Sequence, residues 1–112
     1  MSDPRFRPRA YTEEPLGFGK VESIRWIEAG SDLDADRILA SKLQHEYAVR
    51  INRRLKELGK SVREYAGMTG VGYDRITRVL RGDAVMRLED VAQAERLLHG
   101  ITTEKSAGDT TK

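Results

Sequence analysis

Residues 61–82 read SVREYAGMTGVGYDRITRVLRG, and their pattern predicts two short helices joined by a tight turn. Ser61 is a good helix N-cap, because its hydroxyl can accept a hydrogen bond from a free N–H of the first turn. Apolar residues then recur at helical spacing until Gly70, which supplies the positive φ that a sharp turn often needs. We expect Val71 to fill the space between the two helices and Gly82 to end the second one.

The second helix of this stretch is amphipathic. Its apolar side carries Ile76, Val79 and Leu80. Its other side carries polar residues, namely Tyr73, Asp74, Thr77, Arg78 and Arg81. In the first helix, Ala66 is small at a position where two helices must approach closely at a steep angle. These features together specify a helix-turn-helix motif over residues 61–82.

The motif resembles that of the lambda-repressor-like (Cro/cI, or XRE) helix-turn-helix regulators. The matching residues are Tyr65, Ala66, Gly70, Val71, Gly72, Ile76, Thr77, Val79 and Gly82. The resemblance covers roughly residues 41–100. It implies a small all-α helix-turn-helix bundle that acts as a sequence-specific, DNA-binding transcriptional regulator or repressor. The expected partners are double-stranded DNA and a second copy of the chain, since specific affinity usually requires two half-sites.

The resemblance also implies which residues touch DNA. The helix over 73–81 would lie in the major groove, with its N-terminal residues nearest the bases. We expect base contacts from Tyr73, Asp74, Thr77 and Arg78. Arginine can bind guanine O6 and N7, and aspartate can accept from cytosine N4. We expect phosphate contacts from Lys60, Ser61, Arg63, Arg75 and Arg81, the first three lying at a helix N-terminus.

Two departures from the family pattern stand out. Many members place glutamine second in the first helix of the motif, where this chain has Val62. Many members also pair an arginine of the preceding helix with a glutamate near the motif's end, where this chain has Leu55 and Leu80. We therefore hypothesise that an apolar contact replaces a buried ion pair, an exchange that is often neutral or stabilising.

Charge is concentrated on the motif. The 112-residue chain has a net charge of only +2, but residues 50–81 carry nine basic and three acidic side chains. Residues 83–100 carry two basic and four acidic ones. A solvated helix surface would explain such a surplus. Its position on the predicted DNA-binding segment favours a surface that faces phosphates.

The remaining composition argues against other classes of protein. With no cysteine there is no disulfide and no thiolate zinc site. No apolar run approaches the length of a membrane span, so we expect a cytoplasmic protein. His45 and His99 are isolated, and the acidic run at 32–36 lacks the glycine and closing glutamate of a calcium loop. We expect no enzymatic activity, no cofactor and no metal.

The segments around the motif divide the chain into three parts. Residues 1–30 form an N-terminal extension that holds all three prolines, and we expect it to be partly extended or disordered, with a short β-strand over 20–27. Its alternating Arg5, Arg7 and Arg9 suit either a basic arm or a loose tail, and we favour the tail. Residues 31–100 form the helical domain, and 101–112 a disordered tail.

A long helix is expected before the motif, because no glycine or proline occurs between Ser31 and Leu58. Leu39 and Leu55 would face nearly opposite sides of a continuous helix, since 16 residues rotate it about 160° past whole turns. Either the N-terminal half of this helix faces the N-terminal strand or a second subunit, or the helix breaks near His45. Trp26 is expected to be a packing anchor.

Two other functions fit the same residues. The fold could serve as a protein-interaction module, antitoxin-like or a phage adaptor, with its partner bound through residues 1–40. It could also serve as an accessory protein that coats or bends DNA with little choice of sequence. The operator, the target genes, any effector and the dimer interface do not follow from the sequence.

Overall fold

The computed structural model describes residues 6–103, which form four α-helices and no β-strand. The helices are α1 (Asp32–Glu57), α2 (Val62–Thr69), α3 (Tyr73–Arg81) and α4 (Leu88–Leu98). Two short 3-10 turns, Pro8–Tyr11 and Pro15–Gly17, precede them. The all-α class is therefore confirmed. The predictions for residues 1–5 and 104–112, at the two ends of the chain, lie outside the described residues.

Helix α1 is continuous through His45, so the predicted alternative of a break there is wrong. Ser31 caps it, because its hydroxyl accepts a hydrogen bond from the Asp34 N–H at 3.1 Å. The expected rotation is confirmed: Leu39 is 60% exposed, whereas Leu55 is 2% exposed. The C-terminal half of α1 thus packs into the core, and the side of its N-terminal half that carries Leu39 faces outward.

The predicted strand over 20–27 does not form. Within residues 6–103 the extended pairing is one antiparallel bridge, between Thr12 and Trp26. A strand needs a partner of similar length. Pro8 and Pro15 instead begin 3-10 turns on either side of Thr12, so the segment that would pair with 20–27 is itself folded into turns.

The N-terminal segment (residues 6–30) packs against the helices, so the loose tail expected around Arg7 and Arg9 is wrong. Phe18 is buried and Trp26 half-buried, and both rings lie against the His45 ring with centroid separations of 5.3 and 5.7 Å. Trp26 is thus a packing residue, as predicted. Arg7 and Arg9 form ion pairs with Asp83 at 3.0 and 3.3 Å, which fixes the basic stretch to the loop after α3.

The core joins all four helices and the N-terminal segment in one apolar cluster. Its buried members are Phe18, Ile24, Ala48, Ile51, Leu55, Tyr65, Ala66, Ile76, Leu80, Val91, Ala94, Leu98 and Ile101. Gln44 of α1 fastens the end of α3 to this core. Its Nε2 donates to the Val79 and Ala84 carbonyls, and its Oε1 accepts from the Met86 N–H, each bond being 2.8 or 2.9 Å long.

Residues 100–102, which follow α4, remain bonded to the helical domain. Gly100 follows the C-cap residue His99 and has a φ of 76°, in the left-handed region that favours glycine. Ile101 is fully buried, which corrects the expectation that the disordered tail begins there. The Glu95 carboxylate holds this turn, because it accepts hydrogen bonds from the N–H groups of Gly100, Ile101 and Thr102.

Candidate nucleic-acid interface

Helix α2 begins with a complete capping box. The Ser61 hydroxyl accepts from the Glu64 N–H at 3.0 Å, and the Glu64 carboxylate accepts from the Ser61 N–H at 2.8 Å. The predicted N-cap role of Ser61 is therefore confirmed. These two bonds satisfy two of the N–H groups that a helix start leaves without a partner.

The turn between α2 and α3 is short and internally bonded. The Thr69 hydroxyl donates to the Ala66 carbonyl at 2.8 Å and accepts from the Val71 N–H at 2.9 Å. Gly70 has a φ of 75°, in the left-handed region. Val71 is half-buried against the core, as predicted for the residue between the helices. This arrangement fixes the direction in which α3 leaves α2.

Helix α3 presents one polar face to solvent. Its apolar residues Ile76, Val79 and Leu80 are buried, whereas Asp74 and Arg78 are exposed. Asp74 and Arg78 lie four residues apart, a spacing at which an ion pair can form. Neither side chain makes a hydrogen bond or ion pair within residues 6–103. Both remain free to bind an external group.

Thr77 has a more restricted chemistry than its neighbours. It is half-buried, and its hydroxyl donates to the Tyr73 carbonyl at 2.8 Å. The hydroxyl proton is thus used within the helix, while its oxygen lone pairs and its methyl group remain. Thr77 can therefore accept from a base amino group or contact a thymine methyl, but it cannot donate without breaking the bond to Tyr73.

Two of the candidate DNA-contacting residues contact each other. The Arg63 guanidinium of α2 lies 4.1 Å from the centroid of the Tyr73 ring at the start of α3. A cation over an exposed aromatic ring contributes about 0.5–1 kcal/mol. This contact orders the Tyr73 side chain, which is 37% exposed, and places a positive charge beside it. Sequence spacing does not reveal the contact, because it depends on the angle between α2 and α3.

Arg75 forms an ion pair with another residue of the chain. Its side chain is 28% exposed, and the partner of its guanidinium is the Asp90 carboxylate of α4. The same Asp90 oxygen accepts from the Arg87 N–H at 2.7 Å, at the start of α4. Arg75 therefore joins α3 to α4 and stands apart from the free cations of the candidate interface. Its expected phosphate contact would compete with this ion pair.

The N-terminus of α2 combines positive and negative charge. Lys60 is exposed and makes no ion pair with any residue in the described range. Glu64 lies beside it, and the hydrogen bond from the Ser61 N–H holds the pKa of the Glu64 carboxyl below its ordinary value of 4.5. A phosphate at this end of α2 would approach the charged Lys60 and Arg63 side chains together with a carboxylate.

The basic surplus of residues 50–81 thus divides into two groups. Arg50, Arg53, Arg54 and Arg75 form ion pairs with carboxylates of the chain. Lys56, Lys60, Arg63, Arg78 and Arg81 are exposed and form no ion pair within residues 6–103. In the second group, Lys56 lies in the last turn of α1, and the others lie in α2 or α3 or just before α2. This group carries the part of the surplus that remains for an external anion.

The two departures from the family pattern lie in the core. Val62 is half-buried against the apolar cluster. Leu55 and Leu80 are both buried members of that cluster, 2% and 6% exposed. All three positions are therefore suited to apolar side chains.

In comparisons with known proteins, no protein-family model matches the chain, and neither a curated protein nor a solved structure does so. In the part of the chain that the structure describes, no helix is long and apolar enough to cross a membrane. Within the same range, no group of three or more histidine, aspartate or glutamate side chains is placed to hold a metal ion.

Proposed function

We propose that this chain is a sequence-specific DNA-binding protein of the lambda-repressor-like class, a transcriptional regulator that inserts α3 into the major groove. One observation carries the proposal: the exposed face of α3 holds Asp74 and Arg78 without side-chain partners among residues 6–103. Groups of this kind can read cytosine N4 and guanine O6 and N7, each good contact giving about 1–3 kcal/mol of discrimination.

The surroundings of α3 support the same proposal. Lys60, just before α2, and Arg81, the last residue of α3, are exposed cations, and Arg63 adds a third that is stacked on Tyr73. Phosphate contacts position a protein on the duplex, whereas contacts to base edges select the sequence. The chain has candidates for both roles on adjoining elements.

We further propose that the chain binds DNA as a homodimer. One helix-turn-helix module covers only about 600–1,000 Å² of protein surface. Two modules related by a two-fold axis would read a palindrome whose half-sites are about one helical turn apart.

A selection from a random pool of duplex DNA tests the proposal. We expect the full chain to enrich a palindromic site. Arg78→Ala should relax one base position in each half-site, while Arg96→Ala, which removes an exposed arginine of α4, should leave the site unchanged. Enrichment of no sequence would refute a sequence-specific regulator.

A protein-interaction module is the second candidate function. The Glu64 carboxylate favours it, because this negative charge already occupies the α2 N-terminus at which a phosphate would bind. A module of this kind would show no enriched sequence and no steep dependence of DNA affinity on salt. A DNA-coating protein would show the salt dependence without the sequence preference.

A further inference from the structure

The N-terminal segment is fastened to the C-terminal end of α3. The Arg9 N–H donates to the Gly82 carbonyl at 2.9 Å. A Cβ on Gly82 would come within 2.8 Å of the Phe18 ring, and a Cβ on Gly19 within 2.3 Å of the Leu80 carbonyl oxygen. Both glycines also have positive φ, at 80° and 75°. Only glycine permits so close an approach of the two backbones at these points.

Helix α1 holds the same part of the segment from the other side. The Gly19 N–H donates to Nδ1 of His45 at 2.9 Å, and the Gly19 carbonyl accepts from the Asn52 amide at 2.8 Å. Phe18, immediately before Gly19, is 1% exposed. The backbone that carries Lys20 is therefore fixed relative to both α1 and α3, although the Lys20 side chain itself is exposed.

Lys20 lines two surface grooves beside α3, which we call the Lys20 grooves. One has a volume of about 170 Å³ and is lined by Lys20 and Arg81 together with Tyr73 and Thr77. The other, of about 200 Å³, is lined by Lys20, Arg81 and Arg9. Three residues already expected to contact DNA thus share a groove with a lysine from a distant part of the chain.

Lys20 and Arg81 carry uncompensated charge in these grooves, whereas Arg9 is paired with Asp83. No carboxylate within residues 6–103 lines either groove, and Lys20 and Arg81 form no ion pair in that range. A third groove, of about 190 Å³, lies elsewhere and differs in this respect. Its lining includes Glu22 and Glu46, and its Arg53 is paired with Glu22 at 3.8 Å. Of these three grooves, the two beside α3 are therefore the ones that hold cations and no carboxylate.

We propose that Lys20 is a further phosphate-contacting residue of the DNA interface, acting with Arg81 at the C-terminal end of α3. This inference rests on the proposed function. An ammonium group on a fixed backbone can approach a phosphate as a point charge without choosing a base. The N-terminal segment then has a binding role: it carries Lys20 to the side of the recognition helix.

Lys20→Gln tests this proposal, because it removes the charge and keeps most of the side-chain length. The binding constant for the selected duplex is measured as a function of salt concentration. The slope of log binding constant against log salt concentration is negative, and one lost phosphate contact should reduce its magnitude by about 0.9. This change corresponds to about eightfold weaker binding at 0.1 M salt. Base preference should not change. The matched control is Lys42→Gln, which removes an exposed lysine of α1 and should leave the slope unaltered.

Each outcome decides between distinct conclusions. A Lys20→Gln chain with the wild-type slope and affinity would overturn the assignment while leaving the proposed function intact. An equal loss in Lys42→Gln would also overturn it, because the effect would then be one of overall charge. A changed base preference would exclude a phosphate contact. If the wild-type chain enriched no duplex, the proposed function and this inference would fail together.

Discussion

Leu55→Arg is expected to unfold the chain. Leu55 of α1 and Leu80 of α3 belong to one buried cluster. The proposed family alignment puts them at positions where lambda-repressor-like proteins often have an arginine and a glutamate. Arginine at position 55 alone would put a charge into an apolar site without its partner. The result therefore tests both the packing of α1 on α3 and the alignment with the family.

The expected loss is large compared with the stability of a small protein. Leu55 is 2% exposed, so its replacement forfeits about 1.5–3 kcal/mol of hydrophobic burial. An unpaired buried charge costs about a further 3–5 kcal/mol. A chain of 112 residues has a free energy of unfolding of roughly 6–17 kcal/mol, at 0.05–0.15 kcal/mol per residue. The substitution would remove most of a stability near the lower end of that range.

The assay is thermal and urea unfolding followed by circular dichroism at the helix band. Leu55→Met is the control, since a volume-conserving apolar exchange should cost less than about 1.5 kcal/mol. Leu80→Glu should destabilise the chain for the same reason as Leu55→Arg. The double variant should recover part of the loss, because the two charges can then pair, with a coupling energy above about 1 kcal/mol.

Two results would refute the reasoning. Wild-type unfolding of Leu55→Arg would mean that position 55 is not enclosed by the core. Strictly additive losses in the double variant would mean that positions 55 and 80 do not face each other, and the alignment with the family would be wrong at these positions.

Two further predictions concern stability. Gly82→Ala should lower the free energy of unfolding by at least about 1–2 kcal/mol, because alanine is strained at a φ of 80° and its Cβ would meet the Phe18 ring. In thermal unfolding, the control Gly67→Ala in α2 should leave the melting temperature unchanged or raise it, because a Cβ there meets nothing within 4 Å. Equal losses in both variants would contradict this explanation. The hydrogen bond from the Thr102 N–H, followed by those from its hydroxyl and from Ile101 and Gly100, holds the pKa of Glu95 below its ordinary value of 4.5, although burial opposes the shift. Glu95 therefore stabilises the folded chain above pH 4.5, and this contribution is lost as the pH falls through the lower folded-state pKa. Urea unfolding between pH 7 and pH 2 should show a shallower acid-side loss for Glu95→Gln than for the wild type, and parallel curves would count against this role.

The helices could be predicted from the sequence because caps, glycines and apolar spacing act over a few neighbouring residues. Ser61 with Glu64, Gly70 and Gly82 mark the limits of α2 and α3 within a few residues, and the apolar spacing of α3 identifies its buried side. The rotation of α1 between Leu39 and Leu55 follows from helix geometry alone. These features depend on neighbours along the chain, which a single sequence displays.

The placement of the N-terminal segment could not be predicted in the same way. The alternation in residues 20–27 suits a strand, but a strand forms only if a second extended segment pairs with it. The segment that could pair with it is folded into the 3-10 turns that begin at Pro8 and Pro15. Contacts such as Gly19 against Leu80 join residues about sixty positions apart. Nothing in the local pattern around Lys20 indicates that it lies beside α3.

The candidate interface was predictable in its membership but not in its internal contacts. The exposed positions of Tyr73, Asp74 and Arg78 follow from the amphipathic pattern of α3. The ion pair of Arg75 with Asp90 and the stacking of Arg63 on Tyr73 depend on the angles between helices. They change which side chains are free for a ligand, and only the three-dimensional arrangement reveals them.

The most direct test of the central proposal is the ratio of two affinities at one fixed salt concentration. The first is for the duplex recovered by selection, and the second is for a scrambled duplex of equal length and composition. A sequence-specific regulator should bind the selected duplex about 10³-fold or more tightly. A ratio near one would contradict sequence-specific recognition by α3. A chain that bound neither duplex would contradict it as well.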